Sequence, residues 1–202
     1  LAVASTLASW KMDTTTIIAG LLHDTVEDTE ATLDDIVKNF GNDLGKLVDG
    51  LTKISEISYS SRKEKQVGNF MKMLLSVAQD MRVIIIKFAD RLHNMETIQH
   101  MPRIKRHRIA VETRDIYVPL AHRLGMSTVK SQLEDLVLSV LNPSGFKEIE
   151  SRVKSSEKQR EKFIKKVIEP VNEELKRYDI APLIYGRAKS YASIYGKMIN
   201  RN

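Results

Sequence analysis

The sequence predicts an all-α fold. Only nine Gly and five Pro punctuate its 202 residues. Apolar side chains recur mainly at three-and-four spacing, and few stretches alternate with period two. Two short helices open the chain, over residues 3–10 and 15–24. Asp13 sits in the break between them as a cap for the second. Thr32 with Asp35 three residues on reads as an approximate capping box. The helix it opens runs to Phe40 and stops at Gly41. Residues 43–53 give a further short helix. Residues 63–79 give another, with Val67, Phe70, Met71, Leu74, Leu75 and Ala78 on one face.

The run Val83 to Ile86 is β-branched, as a buried strand would be. Met81, Ile84, Ile85, Phe88 and Leu92 nevertheless keep helical spacing, so a buried helix is expected. Pro102 marks a break. Residues 105–124 and 127–141 read as helices around Gly125, and Asn142-Pro143 starts a turn. A long charged helix is expected over 147–178, with Pro170 as a kink or boundary. From 181 onward the character changes, as at the start of a second domain that the chain does not complete.

Composition narrows the class. The apolar fraction is 42% and the charged fraction 29%, ordinary for a soluble globular protein. No apolar run approaches the ~20 residues that span a bilayer, and no signal-peptide pattern opens the chain. There is no cysteine, which excludes disulfides and thiolate ligands. A cytoplasmic location fits. The first residue is Leu1 rather than Met, so a fragment is expected. The net charge is +6, unevenly spread. Residues 21–60 hold nine acidic and three basic side chains, net −6, which leaves +12 elsewhere. An acidic pocket in a basic background suits a highly anionic substrate that meets a bound cation.

The strongest chemical signal is His23-Asp24-Thr25-Val26-Glu27-Asp28. On one continuous helix, turning ~100° per residue, all four polar side chains share an arc of ~140°. Three carboxylates that close repel, and a divalent cation removes the cost. Imidazole nitrogen beside carboxylate oxygen suits Mn²⁺, Fe²⁺ or Zn²⁺ rather than Ca²⁺. An adjacent His-Asp pair also occurs by chance, and acids are favoured in first helical turns. The second signal is Asp90, which interrupts a strongly apolar run and is costly to bury unpaired. Asp90, Asn94 and Thr97 share one helical stripe, positioned for a ligand. The plainer reading is an ion pair of Asp90 with Lys87 or Arg91. His93, His100 and His122 are compatible with core or surface roles. His107 lies among Arg103, Lys105, Arg106 and Arg108, a cluster that either meets phosphates or is solvated.

His23-Asp24 with a distant Asp90 resembles the HD superfamily of metal-dependent phosphohydrolases. Residues 20–29 (GLLHDTVEDT), 88–95 (FADRLHNM) and 119–126 (PLAHRLGM) resemble, more closely, the hydrolase half of bifunctional RelA/SpoT homologues. The resemblance covers essentially the whole chain. It implies hydrolysis of the 3′-pyrophosphate of (p)ppGpp to GDP or GTP and pyrophosphate, in stringent-response control. It implies Mn²⁺ held by two histidines and two aspartates, with His23, Asp24 and Asp90 as three of the four. The other histidine belongs to a His-Pro pair just before the segment matching Leu1 to Ala4. The fragment alone is therefore expected to lack a ligand, and activity with it. Basic residues that contact guanine and phosphate lie further upstream in the family. Glu27 and Asp28 match the catalytic acid pair, and Asn94 and Thr97 the nucleoside pocket. Arg91 and His93 support the site.

Three positions depart from the family pattern. Glu96 stands in place of Arg, Gly68 in place of Glu and Met71 in place of Arg. Residues 185–190 (YGRAKS) with Ser193, Ile194, Lys197 and Met198 resemble the first block of the adjoining synthetase domain. There Arg187 and Lys189 contribute to phosphate binding. The parent is then also a (p)ppGpp synthetase, although this chain stops before the synthetase's acidic residues. The expected organisation is an N-terminally truncated HD-type hydrolase domain over 1–142, a helical linker over 143–180, and the incomplete α/β synthetase domain from 181. Expected partners are (p)ppGpp and, for the full-length parent, the ribosome; a homo-oligomer is open and a membrane is not expected. Two other readings remain: an HD phosphohydrolase for deoxynucleotides or cyclic nucleotides, and a non-catalytic regulatory module.

Overall fold

The computed structural model describes residues 1–55, 80–155, 157–184 and 189–199. The helix expected over 63–79, with Gly68 and Met71, lies outside them, as does Arg187. The described residues are helical with no strand, as the all-α reading requires. The chain divides into two compact units, Leu1–Leu133 and Glu134–Asn202.

The first unit begins with α1 (Ala2–Ser9), α2 (Thr14–Leu22), α3 (Thr25–Asp28), α4 (Leu33–Phe40) and α5 (Asn42–Ser55). Local chemistry explains their starts. The Asp13 carboxylate accepts from Thr16 N at 3.0 Å and from the Thr16 hydroxyl at 2.6 Å, which caps α2. Thr32 and Asp35 complete a reciprocal capping box at the head of α4. Gly41 ends α4 at φ +90°, a backbone setting that glycine adopts without a Cβ penalty.

Next come α6 (Met81–Glu96), a 3₁₀ turn (Ile98–His100) and α7 (Arg103–Glu112). The β-branched run is helical, as its spacing predicts. Val83, Ile84, Ile86, Phe88, Ala89, Leu92 and Met95 are all buried, so α6 is enclosed nearly all round. It packs against α1, α2 and α5. Val3, Leu7, Ala19, Ile36, Leu47, Val48, Leu51, Val83 and Ile86 form the core there. Arg82 reinforces the start of α6. Its guanidinium donates to Asp43 at 2.9 and 3.1 Å and to Asp80 at 2.7–3.1 Å, joining the heads of α5 and α6.

The helix expected over 105–124 is one continuous helical path, but not one α-helix. A π turn at Thr113–Tyr117 separates α7 from α8 (Val118–Arg123). α9 (Ser127–Leu141) then runs into the second unit. In that unit α10 (Pro143–Ser155), α11 (Glu157–Arg177) and α12 (Tyr191–Ile199) follow. Pro143 opens α10 directly after Asn142, so the expected turn is reduced to a junction; proline suits a first helical position. The described residues of the charged stretch 147–178 are helical as far as Arg177, in α10 and α11, and α11 carries Pro170 inside it without ending there. Proline there removes only one helix hydrogen bond at an exposed site. Asp135 on α9 accepts from Ala192 N at 2.8 Å at the head of α12, and Phe146 meets Tyr191 edge-on.

Asp13→Ala is expected to cost about 1 kcal/mol of stability, the usual worth of an N-cap, measured by urea unfolding at pH 7. The pH dependence has a definite sign. The hydrogen bonds from Thr16 hold the Asp13 carboxyl below its ordinary value, and Arg82 does the same for Asp80. That stability is present above about pH 4 and is lost as pH falls through the lowered folded values. The Asp13→Ala variant should therefore lose stability less steeply than the wild type between about pH 4 and pH 2.

Candidate active site

His23 stands where α2 ends. Its Nδ1 lies 2.9 Å from the Gly20 carbonyl oxygen, which can only accept, so Nδ1 carries a proton. That leaves Nε2 to face the rest of the site. Nε2 lies 2.7 Å from Asp24 Oδ2 and 3.7 Å from Asp90 Oδ1. Two segments 67 residues apart, the end of α2 and the middle of α6, thus meet on one imidazole. The Gly20 carbonyl lies in the last turn of α2, where carbonyls lack an intrahelical partner, and Gly20 itself packs against α1, where a Cβ would collide with Leu7.

The pair His23-Asp24 forms a break rather than a helix interior. α2 stops at Leu22, Asp24 adopts φ −106° and ψ 0°, and α3 starts afresh at Thr25. The single-helix arc expected for His23, Asp24, Glu27 and Asp28 is therefore corrected. Glu27 N and Asp28 N both bond to the Asp24 carbonyl oxygen, at 3.1 and 2.8 Å, so α3 hangs on Asp24 instead of continuing α2. Glu27 and Asp28 are exposed. Asp28 is near enough to Asp24 to act on its charge.

The side-chain charges are coupled. Burial disfavours a charged imidazole at His23, but Asp90 and Asp24 outweigh it and raise its pKa. Burial also raises the Asp24 carboxyl, helped by Asp90 and Asp28 against His23 and Lys87. For Asp90 burial pushes the same way, yet His23, Lys87 and Arg91 prevail and hold it below the ordinary value. Lys87 is buried at 7% exposure, one turn before Asp90. Sequence reasoning treated Lys87 only as a pairing partner of Asp90. Its action on both aspartates was signalled by one lysine inside an apolar run at the i−3 position.

On α6, Asn94 Nδ2 donates to Asp90 Oδ1 at 2.7 Å, so the expected Asp90–Asn94 stripe is formed. Thr97 caps that helix, its hydroxyl donating to the His93 carbonyl oxygen at 2.8 Å. Arg91 does not pair with Asp90. It turns to Glu112 and Tyr117. Glu96 is exposed beside Thr97. In the second unit Lys189 is exposed just before α12.

One imidazole nitrogen with two carboxylates is a donor set that suits a first-row divalent ion. The fixed Nδ1–H···O=C bond of His23 is the outer contact that metal-binding histidines commonly carry. The donor chemistry therefore fits. Among the described residues, however, no group of three or more such side chains is already set to hold a metal ion. His23 Nε2 is paired with Asp24 instead of sharing a common point with both aspartates.

Comparison with known proteins gives this geometry a family. The sequence model of the HD domain matches residues 1–127. The chain belongs to the HD domain family. Across 201 residues it is 44% identical to a GTP pyrophosphokinase of Myxococcus xanthus, covering 98% of the chain and 27% of that protein. It is 42% identical over 198 residues to the bifunctional (p)ppGpp synthase/hydrolase SpoT of Escherichia coli, covering 98% and 28%. It is 44% identical over 196 residues to a guanosine-3′,5′-bis(diphosphate) 3′-pyrophosphohydrolase of Aquifex aeolicus, covering 96% and 28%. The resemblance to RelA/SpoT homologues is borne out. The chain spans about a quarter of the length of these relatives. Among the described residues no helix is long and apolar enough to cross a membrane.

Gly20→Ala should drive a methyl group into Leu7 and move the carbonyl that holds His23. The expected result is a lowered Tm by about 4 °C or more, since small-to-large changes in packed sites cost about 1–3 kcal/mol. The His23 ring resonances in an NMR titration should shift with it. An unchanged His23 spectrum would separate the carbonyl from the setting of the ring.

Proposed function

We propose that this HD domain hydrolyses the 3′-pyrophosphate of (p)ppGpp, giving GDP or GTP and pyrophosphate, in a metal-dependent reaction. The observation that carries the reading is the approach of both Asp24 and Asp90 to the Nε2 of His23, at 2.7 and 3.7 Å, with α3 and its two acids suspended from Asp24. The names and likeness of the relatives support the substrate. The likeness also runs through the second unit, since it covers nearly all of the chain. That disfavours an HD phosphohydrolase for other nucleotides.

In this reading His23, Asp24 and Asp90 hold the ion, with Mn²⁺ as the proposed metal. When bound, it supplies Lewis acidity toward water and phosphate oxygens. The remaining work belongs to the chain. The Gly20 carbonyl fixes the imidazole tautomer, and Asn94 fixes one oxygen of Asp90. Glu27 and Asp28, exposed on α3, orient the attacking water and take its proton. Asn94 and Thr97 contribute to the nucleoside pocket. The basic residues of α7, Arg103, Lys105, Arg106 and Arg108, add to the positive field that attracts the anion.

The proposed organisation is the hydrolase domain over 1–142, a helical linker over 143–180 and the start of a synthetase domain from 181. Lys189 and Arg187 belong to phosphate binding on the synthetase side. The location proposed is cytoplasmic, and ribosome association or a homo-oligomer would be a property of the whole protein. An upstream histidine is the proposed fourth ligand.

Pyrophosphate release from ppGpp, followed with Mn²⁺ or with chelator in a form extended ~60 residues upstream, a length of ordinary domain scale, tests the reading. Mn²⁺-dependent release is expected. No release from folded, metal-loaded protein would favour a regulatory module. Asp90→Ala is expected to abolish metal binding, read by calorimetry; stoichiometric Mn²⁺ in that variant would remove Asp90 from the site. Glu27→Ala should keep the metal and lose about 10²-fold or more in turnover, the lower end of general-base contributions. Near-normal turnover would make Glu27 a structural carboxylate.

A further inference from the structure

Arg91 follows Asp90 directly, yet its guanidinium is buried on another side of α6, at 13% side-chain exposure. Its Nη2 donates to Glu112 Oε1 at 3.2 Å and to the Tyr117 hydroxyl at 2.9 Å. Its Cζ lies 4.0 Å from the centroid of the same Tyr117 ring. Phe88, one turn earlier on α6, meets that ring edge-on at 6.3 Å. Tyr117 therefore grips α6 through two residues at i and i+3, with Asp90 between them in sequence and pointing elsewhere, toward His23.

Two features say that this clasp is more than packing. First, Arg91 Nε is buried with no hydrogen-bond partner among the described residues. A buried guanidinium with an unmet donor is costly, and an apolar side chain of similar volume usually serves stability as well or better. Second, Tyr117 reaches Arg91 from the π turn Thr113–Tyr117. π turns are rare, are intrinsically less favourable than α-helix and cluster at functional sites. Here the turn sits between Glu112 and Tyr117, the two residues that share Arg91.

We propose that the Arg91–Glu112–Tyr117 clasp is a positioning device: it fixes the rotation of α6 about its axis and thereby the aim of Asp90 at His23. The inference rests on the metal-binding reading given above. On a helix of Cα radius ~2.3 Å, side-chain oxygens lie further out, so a few degrees of rotation move Asp90 by tenths of an ångström. Ligand geometry is sensitive on that scale.

Mn²⁺ binding by calorimetry and Tm are measured on the full-length protein and four variants. Arg91→Met fills the space with an apolar chain, and the Glu112 carboxylate, about one-third exposed, stays hydrated. Its Tm should fall no more than that of Val129→Ala, a core truncation in α9. Its Mn²⁺ Kd should rise about 10-fold or more, the scale of outer-contact effects on metal sites. Val129→Ala should keep the wild-type Kd. Arg91→Lys keeps the charge beside Asp90 but loses the fork, and should weaken Mn²⁺ as Arg91→Met does. Should Arg91→Met fail to fold, Tyr117→Phe removes the hydroxyl and keeps the ring, and a several-fold weaker Kd is expected. Wild-type Kd values in folded Arg91 and Tyr117 variants would overturn the clasp alone. Full rescue by lysine would also overturn it, in favour of charge. A wild-type protein that takes no Mn²⁺ would overturn the metal reading itself, and the clasp with it.

Discussion

The enclosure of α6 is the constraint on which the rest of the molecule depends. Between its exposed ends, a helix buried nearly all round has little solvent face on which to leave its polar residues. Each of Lys87, Asp90 and Arg91 must therefore find a partner inside the protein. Asp90 finds His23 and Asn94, and Arg91 finds Glu112 and Tyr117. These demands on one helix tie α2 to the middle of the chain on one side and α7 with its π turn on the other. The site is the place where the polar obligations of a buried helix are met.

The electrostatics follow from the same burial. A proton on His23, lying between two aspartates, offsets what would otherwise be close carboxylate repulsion. Lys87 adds a second positive charge from below the same carboxylates. The acidic stretch of the sequence is thus balanced where it is buried. It is left exposed at Glu27 and Asp28, where solvent can screen it. A polyanionic substrate would meet the exposed acids first unless cations intervene, which fits a metal-requiring site in a chain that is basic elsewhere.

Much of this was legible in the sequence because short-range chemistry encodes it. Asp13 before Thr16, Thr32 before Asp35, and Gly41 each specify a helix end within four residues. The helical spacing of residues 81–92 outweighed their β-branched character, because a wholly buried helix rewards apolar side chains on every face. The interruption at His23-Asp24 was not legible. Nothing in those six residues breaks a helix by propensity, and the break lies where the chain meets Asp90, far along the sequence. The π turn was hidden for the same reason: its widening serves a contact between Tyr117 and Arg91, which lie 26 residues apart. Of the kink or boundary expected at Pro170, the boundary is absent, since the exposed helix runs on through the proline. The candidate residues were named from local motif, but the approach of Asp24 and Asp90 to one imidazole required the fold.

The interruption between α2 and α3 has a consequence for how this region tolerates change in length. In a continuous helix a residue added between them would turn both acids by about 100° about the axis that also carries the imidazole. Here the imidazole is indexed to the Gly20 carbonyl and the acids to the Asp24 carbonyl, two separate origins. Insertions or deletions within α3 would re-aim Glu27 and Asp28 while the ring stayed in register. The two halves of the motif are thus anchored separately, so a change of length in α3 re-aims the acids and leaves the imidazole in place.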